Sequence, residues 1–280
     1  MPLALTLPDG RSLALPATPL VMGIVNITPD SFSDGGLLKN AEAAVAHGAR
    51  LAAEGAAIVD IGGESTRPGH AAVDAATEMA RVLPVIVGLK ARVDTPVSID
   101  SYKAEGAEAA LAAGASIIND VWGAQRDPRI TDVAAQAGAP IILMHNRESI
   151  DASIDIFDEV LRFLERSIAI ATQAGMARSQ IVVDPGIGFG KTARQNLDLI
   201  RHLDRLAVLG CPVLLGASRK STLGRITGRE VPAERLAATI AAHLYGASRG
   251  AAIIRAHDVA PHIDALKTWA TIEDSMKADL

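Results

Sequence analysis

Three polar residues, Asp100, Asn119 and Asp184, each fall at the end of a run of Val, Ile and Leu. An ionised carboxylate only accepts hydrogen bonds, whereas a side-chain amide both accepts and donates. Brought together, they suit a flat heterocycle with adjacent N–H donors, such as the amino-pyrimidinone edge of a pterin or a guanine. A second set, Asn26, Thr66, Arg67, Arg255 and His257, has the opposite preference. Arginine, histidine and a hydroxyl converging on one point hold a phosphate or diphosphate. Asn26 offers one neutral oxygen to Mg2+, an ion that keeps most of its waters and takes other ligands from substrate phosphates. Lys220, two residues after Ser218, is a point charge able to reach a ring carbonyl or a carboxylate.

These residues lie far apart in the chain, so a scaffold must gather them. Eight strand-like apolar runs occur at Leu20–Thr28, Ala57–Ile61, Pro96–Asp100, Ser116–Asp120, Pro140–His145, Gln180–Asp184, Pro212–Gly216 and Ala252–Arg255. Their bodies are nearly continuous in Val, Ile and Leu, as expected where protein covers both faces of a parallel sheet. A stretch of helical periodicity follows each run, from Ala41–Glu54 to Pro261–Ala278. Gly55, Gly114, Gly138, Gly175, Gly210 and Gly250 stand where helices must end. Eight such units predict a single-domain α/β fold, a (β/α)8 barrel over 19–280, better than a doubly wound open sheet. Ahead of it, alternating residues on both sides of Asp9-Gly10 predict a short β-hairpin within 1–18. Barrel enzymes keep their chemistry at the C-terminal ends of the strands, and here polar residues stand at all eight. One Asp or Asn at a strand end is explained by its turn preference; eight in register describe a lined pocket.

Composition removes other classes. The 280 residues carry 27 Lys and Arg against 32 Asp and Glu, a formal net charge of −5 with no basic block, which argues against nucleic-acid binding. Two Trp, two Tyr and four Phe are too few for a stacking platform. The lone cysteine, Cys211, precludes an internal disulfide and suits a reducing compartment. Pro8, Asp9, Gly10 and Arg11 interrupt the first fifteen residues, so a secretory signal is not expected, and neither is a membrane span. A cytoplasmic protein is the expectation. Asp184-Pro185-Gly186-Ile187-Gly188-Phe189-Gly190-Lys191-Thr192 looks like a phosphate loop, but Pro185 stands where that pattern needs glycine. It reads instead as backbone approaching a ring, with Phe189 packing. Cys211 reads as a buried thiol, and His47, His202, His243 and His262 as helix surface or packing residues. His70 is a weak substrate-contact candidate.

The motifs resemble the dihydropteroate synthases, the pterin-binding barrel family. The resemblance rests on Met22-Gly-Ile-Val-Asn-Ile-Thr-Pro-Asp-Ser-Phe-Ser-Asp-Gly-Gly36 and Asp60-Ile-Gly-Gly-Glu-Ser-Thr-Arg-Pro-Gly69. Further matches are Ser98-Ile-Asp-Ser101, Ile118-Asn-Asp120, Leu143-Met-His145, Asp184–Lys191, Gly216-Ala-Ser-Arg-Lys220 and Ile254-Arg-Ala-His-Asp258. It implies an enzyme that joins a dihydropterin methyl diphosphate to p-aminobenzoate, giving 7,8-dihydropteroate and diphosphate, with Mg2+ as cofactor. By position it implies Asp100, Asn119, Asp184 and Lys220 around the pterin, with Met144 and Phe189 packing nearby. It places Asn26 on Mg2+ or diphosphate, and Thr66, Arg67, Arg255 and His257 on the diphosphate. Ser218, Arg67, Pro68 and Lys220 fall in the p-aminobenzoate region. A homodimer is also implied. Asn146–Asp151 departs from the loop found in much of the family.

The residues fit that chemistry. A departing diphosphate needs charge neutralisation, and a neutral arylamine needs no strong base, so no Ser-His-Asp arrangement is required. A dissociative path is favoured, with Asp100 giving electrostatic help to the methylene cation. Loop residues 29–36 and 64–74 are rich in Gly, Pro, Ser and Asp, which predicts ordered binding, p-aminobenzoate following diphosphate. A methyltetrahydrofolate–corrinoid methyltransferase would use a similar pocket but binds no diphosphate. A non-catalytic pterin-binding protein would tolerate loss of the anion-binding groups, and none is lost.

Overall fold

The computed structural model describes residues 3–27, 36–64 and 73–274, with 36–39 as backbone only. Ten strands are described. Two of them, β1 (Ala4–Thr6) and β2 (Ser12–Ala14), form an antiparallel pair. The other eight are β3 (Leu20–Asn26), β4 (Ile58–Gly62), β5 (Val97–Asp100), β6 (Ile117–Asp120), β7 (Ile141–Met144), β8 (Ile181–Asp184), β9 (Val213–Leu215) and β10 (Ala251–Ala256). They close a parallel barrel in chain order, β10 pairing β3. The predicted barrel and the predicted hairpin are therefore both present. The hairpin turns through Leu7-Pro8-Asp9-Gly10 with Gly10 at φ +83°, a three-residue loop in which only glycine takes that angle without strain.

Strand alternation separates two apolar layers. Outward residues such as Val59, Ile61, Val97, Ile99, Ile118 and Leu143 pack against the helices. Inward residues Met22, Ile58, Ile117, Ile142, Val182, Leu214 and Ile253 fill the barrel and meet Leu5, Leu7 and Leu15. The hairpin thus seals the end of the barrel away from the strand C-termini. Two residues further along the strands, the same inward face carries Asp60, Asn119, Met144, Asp184 and Arg255. A dry floor with a polar layer above it is what positions the site.

The helices are α1 (Gly36–Ala53), α2 (Ala75–Lys90), α3 (Ala104–Ala112), α4 (Arg129–Ala137), α5 (Ile156–Gln173), α6 (Ala193–Arg201), α7 (Ser221–Thr227), α8 (Leu236–Ser248) and α9 (Val259–Glu273). One more is described than the eight predicted. The β9–β10 connection holds both α7 and α8, because Gly228, left-handed at φ +67°, ends α7 before Pro232 opens the next turn. The six glycines predicted to close helices all have positive φ, from 63° at Gly138 to 108° at Gly114. Cys211 is buried just before β9, and burial raises its thiol pKa. Among the described residues, no helix is long and apolar enough to cross a membrane.

Candidate active site

Arg255 organises the polar layer. Its Nε donates to Asp60 Oδ2 at 2.6 Å, and its Nη2 to Asp100 Oδ2 at 2.7 Å. Asn119 Nδ2 donates to the same Asp60 oxygen at 3.1 Å. Side chains of β4, β5, β6 and β10 thereby join one network, whose cation compensates two buried carboxylates. Asp60 Oδ1 and Asp100 Oδ1 are buried and have no partner among the described residues, so the layer keeps acceptor capacity. Burial pushes the Asp100 carboxyl up to about 7, against the pull of Arg255. Asp184 is pushed up to about 6, again by burial, although Gly186 N–H donates to its Oδ1 at 2.7 Å and Lys220 opposes the shift. Asp120, also buried and raised to about 7, accepts from the Trp122 and Ala124 amides and so shapes its own loop.

A second cluster joins the ends of β9 and β10. Ser218 Oγ lies 2.9 Å from His257 Nδ1 and accepts from the His257 amide at 3.2 Å. Burial, with Arg219 and Arg255 nearby, lowers the His257 pKa to about 3, so the ring is neutral at pH 7. Lys220 caps α7, and its ammonium stands 4.1 Å from the Phe189 ring centroid. Met144 is buried at the end of β7, and Asn26 is exposed at the end of β3. Thr66, Arg67, Pro68 and His70 lie outside the described residues, as does most of the two loops, 29–36 and 64–74, on which ordered binding was expected.

Residues 185–191 form a folded turn rather than a phosphate cradle. The Lys191 ammonium donates to Gly186 O (2.8 Å), Phe189 O (3.0 Å) and His145 O (3.5 Å). Burial pushes the Lys191 pKa well below the ordinary lysine value, but three carbonyl acceptors use every hydrogen of the charged form. A Cβ at Gly186 would stand 1.9 Å from His145 O, and one at Gly190 would stand 2.5 Å from Arg147 Cβ. The unusual Asn146–Asp151 loop therefore packs on this turn. It is also tied by Gln195 donating to Asp151 O at 2.7 Å and by a 2.7 Å Arg126–Glu148 ion pair.

A family model described as pterin binding enzyme matches residues 22–257. The dihydropteroate synthase of Bacillus subtilis (strain 168) is 47% identical over 240 residues, 86% of this chain and 84% of its own. The chain belongs to the dihydropteroate synthase family. Among solved structures of that family, Xanthomonas albilineans dihydropteroate synthase with 4-aminobenzoic acid has a TM-score of 0.93 and 49% identity, covering 98% of this chain and 99% of that one. The same enzyme in complex with 7,8-dihydropteroate gives 0.89 and 48%, covering 97% and 99%. The Yersinia pestis enzyme in a sulfonamide drug complex gives 0.88 and 38%, with the same coverage.

Within this dihydropteroate synthase barrel, several supporting residues had no role assigned from sequence. Asp60 stood among the strand-end residues, and its signal was a carboxylate two places after buried Ile58, as Asn119 follows Ile117. Arg219 and Asp258 form a two-point ion pair, Nε–Oδ2 3.0 Å and Nη2–Oδ1 2.6 Å. Lys103 bridges Glu64 (2.5 Å) and Glu78 (2.8 Å), fixing the last described residue before 65–72. No sequence pattern marks these last two.

Proposed function

We propose that the chain condenses (7,8-dihydropterin-6-yl)methyl diphosphate with p-aminobenzoate, giving 7,8-dihydropteroate and diphosphate. The observation that carries the proposal is the inward layer of Asp60, Asp100, Asn119 and Asp184, buried polar groups on four strands with Arg255 bonded to the first two, in a barrel of this family. Asp184, Asn119 and Asp100 receive the N–H edge of the pterin, with Met144 and Phe189 packing beside its ring. Arg255 holds the two carboxylates opposite it, and Lys220 reaches the ring carbonyl or the p-aminobenzoate carboxylate. Ser218, Lys220, Arg67 and Pro68 frame p-aminobenzoate. Thr66, Arg67, Arg255 and His257 face the diphosphate.

The reaction breaks the C–O bond between the exocyclic methylene and the diphosphate, forms a C–N bond to the arylamine, and releases one amine proton. Diphosphate departs first in our reading, since the electron-rich pterin spreads the methylene charge and Asp100 supports it electrostatically. With Ser218 donating to Nδ1, neutral His257 presents Nε2–H to a phosphate oxygen. Mg2+ fits an ion carried in by the substrate. Among the described residues no group of three His, Cys, Asp or Glu would hold it. Asn26 Oδ1 is the neutral oxygen that would be offered to the ion; it borders Gly62, where a Cβ would stand 3.7 Å away in ordinary contact. Bound there, Mg2+ would neutralise the leaving group. The proposal is tested by diphosphate release, which should require p-aminobenzoate together with the pterin substrate. Release of diphosphate that p-aminobenzoate does not stimulate would count against it.

Two results follow for the site. In His257→Ala, kcat should fall on the order of 100-fold while pterin affinity changes far less, because a leaving-group contact acts in the transition state. Weakened pterin binding with near-normal kcat would contradict that role. Pterin affinity should also depend on pH. The ionised Asp184 binds N–H donors, and its carboxyl titrates near 6, so protonation competes with the ligand. Kd for an unreactive pterin should be flat above about pH 8 and rise by more than about tenfold by pH 5, as the Asp100 and then the Asp184 carboxyl protonates, measured by calorimetry. A constant Kd across that range would show that Asp184 does not act as an ionised acceptor.

A further inference from the structure

Behind the wall of the site lie His243 in α8 and His262 in α9, each about 1% exposed. His243 Nε2 accepts from the Ala217 amide at 3.0 Å. His243 Nδ1 stands 2.9 Å from His262 Nε2, and His262 Nδ1 stands 2.5 Å from the Asp258 carbonyl oxygen. The two ends fix every proton between them. A backbone amide only donates, so His243 Nε2 carries no hydrogen; a carbonyl only accepts, so His262 Nδ1 carries one. A neutral imidazole has a single N–H, so His243 Nδ1–H donates to His262 Nε2. The three bonds run one way, and a second proton on either ring would set donor against donor. Burial lowers both pKa values, keeping the rings neutral.

The ends of this chain flank the site. Ala217 precedes Ser218, and Asp258 follows His257. The Asp258 carboxylate also grips Arg219, a non-glycine residue held at φ +58°. Arg219 is held further by Thr239 Oγ1, which accepts from its amide, and by Arg235, which donates to its carbonyl. A packing role alone would be served by any pair of apolar side chains between α8 and α9, but it would leave the Ala217 amide without this acceptor. We propose that His243 and His262 are positioning residues, whose directed hydrogen-bond chain holds the backbone after β9 and after β10 at the spacing where Ser218, Lys220 and His257 act together. This rests on the function proposed above.

The test has two halves. In wild-type protein labelled with 15N-histidine, long-range 1H–15N spectra should show both His243 and His262 as Nδ1–H tautomers, opposite to the form that neutral histidine favours in water. An Nε2–H tautomer at either residue overturns the chain, and this half needs no variant. His262→Phe keeps a ring but removes both nitrogens, while His262→Gln supplies a carbonyl acceptor and an N–H donor. In the Phe variant, KM for p-aminobenzoate should rise and kcat fall, each about tenfold, with pterin Kd changing several-fold less, because Asn119 and Asp184 lie on β6 and β8 and Lys220 alone of the positioned residues reaches the ring. Gln should recover most of the loss. If Phe prevents folding, His262→Leu breaks the chain with a different shape and should show the same split. Unchanged kinetics in the broken chain, or equal losses in pterin Kd and p-aminobenzoate KM, overturn the positioning role. A wild-type protein with the predicted tautomers but no diphosphate release would instead count against the proposed reaction.

Discussion

Replacing Asp184 with alanine is expected to weaken dihydropterin binding by about 2–5 kcal/mol, roughly 30- to 5,000-fold. Asp184 is 5% exposed, and its side chain accepts a 2.7 Å bond from Gly186. Alanine removes a charged acceptor in a place water reaches poorly, so the ring N–H groups would be desolvated without a partner. The Gly186 amide loses its acceptor too, so folding of the variant must be checked by circular dichroism before titration. Unchanged pterin affinity in a folded Asp184→Ala protein would remove Asp184 from the pterin site.

Arg255→Met should lower folding stability by about 3–5 kcal/mol at pH 8, because it leaves two buried carboxylates without their shared cation. Asp60 is fully buried and Asp100 nearly so, both within 2.7 Å of the guanidinium. Without that charge the Asp100 carboxyl, already pushed up to about 7 by burial, rises further above its unfolded value. A carboxyl with a raised folded-state pKa contributes stability at low pH that is lost as pH rises through that pKa. The deficit should therefore shrink between pH 8 and pH 5.5, as measured by denaturant unfolding at both. A deficit below about 1 kcal/mol, or one independent of pH, would contradict this reading of the cluster. The pterin site should fail with it, since Asp100 and Asn119 meet the same network.

The barrel was legible because its strands are buried on both faces, which leaves almost unbroken Val and Ile runs. All eight predicted runs overlap the observed strands, and the helix-closing glycines fall where φ is positive. The polar layer was legible residue by residue, since each member stands at the end of an apolar run. Its wiring was not. Arg255 and Asp60 are 195 positions apart, and nothing in either segment names the other as partner. The sequence assigned Arg255 to diphosphate, while the structure shows its guanidinium between Asp60 and Asp100, which makes its link to any anion an electrostatic balance rather than an uncommitted charge. His243 and His262 read as ordinary helix residues because their proton order exists only once α8 packs on α9. Helix α7 escaped notice because its seven residues are too short to show periodicity.

Purified protein is incubated with Mg2+, the dihydropterin methyl diphosphate and p-aminobenzoate, and the mixture is analysed by mass spectrometry. The expected product is 7,8-dihydropteroate, formed in step with diphosphate and absent when p-aminobenzoate is left out. A folded protein that binds the pterin yet forms no dihydropteroate would contradict the proposed reaction.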